Sequence, residues 1–183
     1  EPIAAINAAI PVNIRLLNLA LVDIGAGTSD IAISKDGSIV GYTMATVAGD
    51  EITEALMKNY LVDFQTAEQM KMDIQSREEI EFTDILGLPH TVSNEEVRSC
   101  IGDAFKSLCK EIAEKILAVN GGAPSAVFLA GGGSKLADMR ECMAKYLEMD
   151  ENRVAIAGNN FSTNACSEEY DLNNPEYATP LGI

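Results

Sequence analysis

The sequence predicts an α/β fold: a mixed sheet that begins as an antiparallel meander and carries a helical insertion before its last strands. Three observations support this. An apolar run, Leu19–Ile24, is followed by alternating Ile31 and Ile33 and then by an Asp36–Gly37 turn, the pattern of a hairpin. A second apolar run, Ala126–Ala130, enters three glycines and then a helix-like segment, the pattern of a buried strand feeding a helix. Between them, Val97, Ile101, Phe105, Leu108, Ile112, Ile116 and Leu117 recur at helical spacing.

Taken in order, Glu1–Ile10 is alanine-rich with Ile3, Ile6 and Ile10 near helical spacing, and predicts a short helix between Pro2 and Pro11. Leu19–Ile24 is the first strand, 25–30 a glycine-rich turn, 31–34 the returning strand and Ile39–Val47 the third. Asp50 is expected to cap a helix with Ile52, Ala55, Leu56 and Tyr60 on one face, and a second helix covers about Thr66–Ile74. Glu79–Phe82 and Leu88–Val92 flank Gly87 as a polar hairpin. Ser93-Asn94-Glu95-Glu96 reads as a capping box that opens the long helix, and Gly121–Gly122 stops it. Ser134 is expected to cap a helix reaching about Leu147, Val154–Ala157 is a short strand, and 158–174 is polar and loop-like. The chain thus divides into an α/β core body of residues 1–47 and 124–183 and an inserted helical subdomain of residues 48–123.

Composition narrows the function. With 28 acidic against 13 basic side chains the net charge is −15, which repels nucleic-acid backbones and anionic membrane surfaces. The longest nearly apolar stretch, Leu16–Val22, is interrupted by Asn18 and is too short to span a bilayer. No charged-then-apolar leader opens the chain, whose start at Glu1 reads as the middle of a longer protein. Cys100, Cys109, Cys142 and Cys166 show no paired spacing of a zinc or redox motif, and read as free thiols in a reducing cytoplasm.

Two glycine segments carry the chemistry. Asp23-Ile24-Gly25-Ala26-Gly27-Thr28-Ser29-Asp30 is not a dinucleotide fingerprint, because Asp30 stands where a third glycine is needed and a strand, not a helix, follows. Its glycines let backbone N–H groups face an anion, Thr28 and Ser29 add hydroxyls, and Asp23 is placed to hold a cation's water or orient a nucleophile. A plain tight hairpin is the alternative. In Phe128-Leu129-Ala130-Gly131-Gly132-Gly133-Ser134-Lys135, three glycines lead a strand into a helix N-terminus, more than a connection requires, which favours close backbone approach to a ligand. Glu68 and Lys71 share a helix face as an ion pair, by itself more often solvated than functional, and His90 is given no role.

Together these residues resemble the actin-like ATPase superfamily, whose ATP lies in a cleft between two α/β domains. Asp23–Asp30 matches its second phosphate loop, Gly131-Gly132-Gly133-Ser134 its adenosine motif, Glu68 and Lys71 its E-x-x-K helix, and Glu1-Pro2-Ile3-Ala4-Ala5 its interdomain helix. The resemblance implies the second, ribonuclease H-like domain of such a protein, most similar to the bacterial cell-division family of FtsA and to MreB. Val47–Glu51, which contains Gly49, Ala67–Met72 and the ending Ala178-Thr179-Pro180-Leu181-Gly182 carry that narrower likeness. It further implies ATP and Mg²⁺ as cofactors, with Asp23 and Glu1 as catalytic groups holding the ion through water. The cofactor contacts it implies are Gly25, Gly27, Thr28, Ser29, Gly49, Glu68, Lys71, Gly131, Gly132, Gly133 and Ser134. The implied partners are the protein's own N-terminal domain, further copies in a filament, or a tubulin-like division protein. A DnaK-like chaperone or a pilus or ethanolamine-utilisation assembly ATPase of the same superfamily is the alternative. An activating ATPase for a radical dehydratase would need cluster-bridging cysteines, which the scattered ones here do not suggest.

Overall fold

A computed structural model describes Ile14 and residues 16–157; the expected helix at Glu1–Ile10, Glu1 itself and the tail from Gly158 lie outside them. Its centre is a five-stranded mixed sheet in the order β3-β2-β1-β6-β7. The strands are β1 (Leu19–Ile24), β2 (Ser29–Lys35), β3 (Ser38–Ala45), β6 (Ala126–Ala130) and β7 (Val154–Ile156). β1 runs antiparallel to β2 and parallel to β6, so the predicted meander and the second α/β unit meet on one central strand. β1 is apolar at every position but Asp23 because both its faces are covered, as a central strand requires. β3, at the sheet edge, alternates and leaves Val40, Tyr42 and Met44 exposed.

Among the described residues, four α-helices follow the predicted order: α1 (Gly49–Tyr60), α2 (Phe64–Asp73), α3 (Asn94–Asn120) and α4 (Met139–Tyr146). The capping box at Ser93 is present, with the Ser93 hydroxyl accepting from Glu96 N–H at 3.2 Å and Glu96 accepting from Ser93 N–H at 3.2 Å. Gly121 ends α3 in the left-handed conformation at φ 74°. α3 lies on β2 and β3 and also touches α1 and α4. Its buried stripe of Val97, Ile101, Leu108, Ile112 and Ile116 therefore joins Ile31, Ile33, Leu56 and Met143 in a single core.

Two predicted caps are corrected. Asp50 is not the N-cap of α1: Ala48 holds that position, and the Glu51 carboxylate accepts its N–H at 2.7 Å. The N–H of Asp50 is instead given to Ala26 O at 2.8 Å. Ser134 does not open a continuous helix: Gly132–Lys135 is a 3₁₀ turn, Leu136 is extended, and α4 starts only at Met139. α2 begins at Phe64, earlier than expected, because Asp63 caps it by accepting Thr66 N–H at 2.8 Å. The polar hairpin forms as β4 (Glu79–Thr83) and β5 (Pro89–Ser93), with Phe82 stacked on His90 at 5.2 Å and edge-on to Tyr60 at 5.4 Å. Among the described residues, no helix is long and apolar enough to cross a membrane.

The core predicts that Ile112→Ala, at a site with no exposed surface, destabilises the fold by about 2–5 kcal/mol in urea unfolding; a loss well under 1 kcal/mol would contradict the packing of α3 on the sheet. The hairpin turn predicts a pH effect. Asp84 accepts from His90 and from the amides of Leu88 and Leu86, and these bonds hold its carboxyl below the ordinary aspartate value of 3.8. A depressed folded pKa means the stabilisation is complete above that ordinary value and is lost as pH falls through the lower, folded one. Protection factors of the β4–β5 hairpin amides, taken relative to the intrinsic exchange rate at each pH, should therefore fall on acidification below 3.8, and Asp84→Asn should remove that pH dependence.

Candidate functional site

The site is built on the parallel pairing of β1 with β6. The register sets Asp23 beside Ala130, so the two glycine turns leave adjacent strands at the same end of the sheet. The turn after β6 then lies against the end of β1. A Cβ on Gly131 would sit 2.4 Å from Ile24 O and 2.5 Å from Asp23 Oδ1, and its φ of +77° already disfavours a side chain. A Cβ on Gly133 would sit 2.3 Å from Ile24 Cγ2, whereas one on Gly132 would meet nothing within 4 Å. Gly131 and Gly133 thus permit contact between strands, and Gly132 presents bare backbone outward.

The turn after β1 is tied to α1. Gly25 N–H closes the turn on Thr28 O at 3.0 Å, and Gly25 O accepts Gly49 N–H at 3.1 Å. Residues 25–28 are exposed. On the opposite wall, the Lys71 ammonium donates to Glu68 Oε1 at 2.5 Å, Thr53 Oγ1 at 2.8 Å and Gly49 O at 3.2 Å. Thr53 also lies within hydrogen-bond reach of Glu68. The Glu68–Lys71 pair is therefore not a free surface pair: its side chains are 33% and 15% exposed, and it is fastened to the first turn of α1.

Between these walls lies a cleft of about 490 Å³, within the size range of small-ligand sites. Of the residues singled out from sequence, Gly25, Gly49, Glu68, Lys71, Gly132 and Gly133 line it together. Gly131 is buried beneath them, and Asp23 is half-buried at the end of β1. Gly27 and Thr28 are exposed on the turn outside the cleft lining. The hydroxyls of Ser29 and Ser134 are committed elsewhere, donating to Val47 O at 2.8 Å and Gly131 O at 2.7 Å, and both residues are fully buried. Asp50, Phe64, Met72, Gln75, Lys135 and Leu136, none of them among the ligand contacts expected from sequence, complete the lining with Ala26. Thr53 was legible in principle, since it stands one turn beyond Gly49 and so on the same side of α1.

The donor set suits a phosphorylated ligand. Gly132 presents open backbone to the cleft, and Lys71 and Lys135 are cations of its lining. Among the described residues no group of three or more metal-ligating side chains converges. A Mg²⁺ ion here would keep waters and ligand oxygens in its shell, with Asp23 and Asp50 as the nearby carboxylates, which is how that ion is ordinarily held.

The chain matches the family of the cell division protein FtsA over residues 20–182 and belongs to that family. It is 23% identical over its whole length to the FtsA of Bacillus subtilis, covering 41% of that protein. Over 70% of its length it is 29% identical to the cell shape-determining protein Mbl of the same organism, covering 45% of it. It thus spans less than half the length of these relatives. Among solved structures it resembles MreB5 of Spiroplasma citri bound to ADP, with a TM-score of 0.68 at 24% identity over 98% of this chain and 56% of that one. It also resembles a chain of the PilM–PilN type IV pilus biogenesis complex, with a TM-score of 0.70 at 20% identity over 99% of this chain and 49% of that one. These likenesses establish the actin-like ATPase fold.

The glycine geometry predicts opposite outcomes at neighbouring positions. Gly131→Ala should cost at least about 2 kcal/mol through strain and overlap, and Gly132→Ala should stay within about 0.5 kcal/mol of the parent in thermal unfolding. Equal losses at the two positions would contradict the division of labour described.

Proposed function

We propose that this chain is the ATP-holding half of an FtsA-like bacterial actin homologue that acts in cell division or cytoskeletal assembly. The observation that carries the reading is the convergence on one cleft of Gly25, Gly49, Glu68, Lys71, Gly132 and Gly133, four stretches far apart in sequence. Family membership and the ADP in the MreB5 structure support it.

In this reading the bare backbone of Gly132 and Gly133 lets the adenosine end approach, Glu68 and Lys71 bind at the helical wall, and the turn of Gly25, Gly27 and Thr28 faces the phosphates. Mg²⁺, when bound, neutralises phosphate charge; Asp23 would hold its water shell and Glu1 would orient the attacking water. Ser29 and Ser134 serve by holding their turns in shape, as their backbone bonds suggest. The body formed by 1–47 and 124–183 carries both glycine turns, and the 48–123 insertion supplies the wall with Lys71. We place the protein in the cytoplasm, where the free thiols of Cys100, Cys109 and Cys142 suit a reducing compartment. Its partners are the remaining domain of the same protein and either further copies or a tubulin-like division protein. Its acidity disfavours nucleic acid and membrane contact through this segment.

Phosphoryl transfer is mostly positioning and charge neutralisation, so hydrolysis needs contributions from both halves of the family's length. Lacking even two charge-assisted phosphate contacts costs roughly 3–6 kcal/mol, about two to four decades in affinity. Calorimetric titration should accordingly show weak Mg-ATP binding and no turnover for this chain, with both restored in the full-length protein. Gly132→Leu, which fills the cleft from an open position, should abolish binding in the full-length protein without unfolding it. Unaltered affinity in that variant would overturn the site.

A further inference from the structure

We propose that Thr53 is a positioning residue for nucleotide binding: its hydroxyl, with Glu68, anchors the Lys71 ammonium while the bond from Lys71 to Gly49 O is exchanged for one to the ligand. The proposal rests on the nucleotide reading of the cleft and adds to it a residue outside the cleft lining.

An ammonium group has three protons to donate. The Lys71 ammonium commits all three within the protein, to Glu68 Oε1 at 2.5 Å, Thr53 Oγ1 at 2.8 Å and Gly49 O at 3.2 Å. Lys71 therefore holds a ligand only by giving up one of these bonds. The bond to Gly49 O is the longest, at the upper end of the ordinary range. It also joins two residues that line the cleft, whereas Thr53 is fully buried and outside the lining. A Cβ on Gly49 would stand 3.3 Å from the Lys71 nitrogen and 3.3 Å from Gly25 O, so the bare backbone there leaves the ammonium room to shift.

Thr53 makes the exchange inexpensive. Its hydroxyl already donates to Gly49 O at 3.1 Å, so the carbonyl that Lys71 releases keeps a donor. The same hydroxyl has Glu68 Oε1 within reach as a second acceptor for its one proton, and its lone pairs accept from Lys71 with the proton on either side. A helical threonine ordinarily bonds back only to its own preceding turn. Here the oxygen also accepts from another helix and ties Lys71 of α2 to α1. Without the hydroxyl, Lys71 would turn to a ligand on the single anchor of Glu68, whose side chain is more exposed than its own.

The test uses the full-length protein. In calorimetric titration with Mg-ADP, Thr53→Val, which keeps the shape and removes the hydroxyl, should bind about tenfold more weakly, and Thr53→Ser, which keeps the hydroxyl, should stay within about threefold of the parent. The Lys71 ammonium should give a resolved ¹H–¹⁵N signal in the ligand-free protein, assigned by its loss in Lys71→Met. That signal should broaden in Thr53→Val and, in the parent, shift as Mg-ADP is added. Parent-like affinity in Thr53→Val beside weakened binding in Lys71→Met would overturn the proposal and leave the nucleotide reading standing. Equal losses in Thr53→Ser and Thr53→Val would also overturn it, as would a parent Lys71 signal unmoved at saturating Mg-ADP, a result that needs no substitution in the core. No binding by the parent would overturn the nucleotide reading and this proposal with it.

Discussion

The contact between the turn after β6 and the last residue of β1 fixes the geometry of the whole cleft. Ile24 presses its carbonyl and its side chain into the space that a Cβ at position 131 or 133 would take. Because β1 and β6 run parallel and in register from Leu19 beside Ala126 to Asp23 beside Ala130, both chains leave the sheet together. Side chains at 131 and 133 would push the two turns apart, and the backbone between them would no longer face the helical wall. The rest of the site is assembled on this contact: the β1 turn receives the first amides of α1, and α1 in turn receives Lys71 of α2.

In the proposed reading, that chain of bonds sets an ordered cation beside the glycine turns of a protein whose net charge is −15. Lys71 does not stand alone as a surface cation. It is held by Glu68, Thr53 and the carbonyl of Gly49, so its charge is fixed in place, at the cost of partial neutralisation by Glu68. The outward backbone at Gly132 is unobstructed: a Cβ there would meet nothing within 4 Å. The buried stripe of the long helix α3 packs against β2, β3, α1 and α4.

Most of the element order was legible because the relevant signals are local: the Asp36–Gly37 turn, the Ser93 capping box and the helical spacing of Val97 to Ile116 each act within a few residues. The glycines were legible as a pattern, but not the different duties of 131, 132 and 133, which depend on Ile24 from a strand over a hundred residues earlier. Asp50 read as a cap because its residue type favours caps; tertiary bonding gave its N–H to Ala26 O and left capping to Glu51. Ser134 failed as a helix cap for a similar reason, because its hydroxyl bonds back to Gly131 O and tightens a 3₁₀ turn. Phe64, Gln75 and Leu136 meet at the cleft only because the α2 wall faces the turn after β6 across it, and no local motif marks them.

The central claim is that four separated stretches bind one ligand through a shared cleft. Backbone amide chemical shifts recorded while Mg-ADP is titrated into the chain test it most directly. The account predicts that perturbations concentrate on Gly25, Ala26, Gly49, Lys71, Gly132 and Gly133 and grow together along one binding curve. Perturbations centred instead on the groove of Leu61, Val62, Phe64 and Ile85, with the glycine turns unmoved, would contradict it.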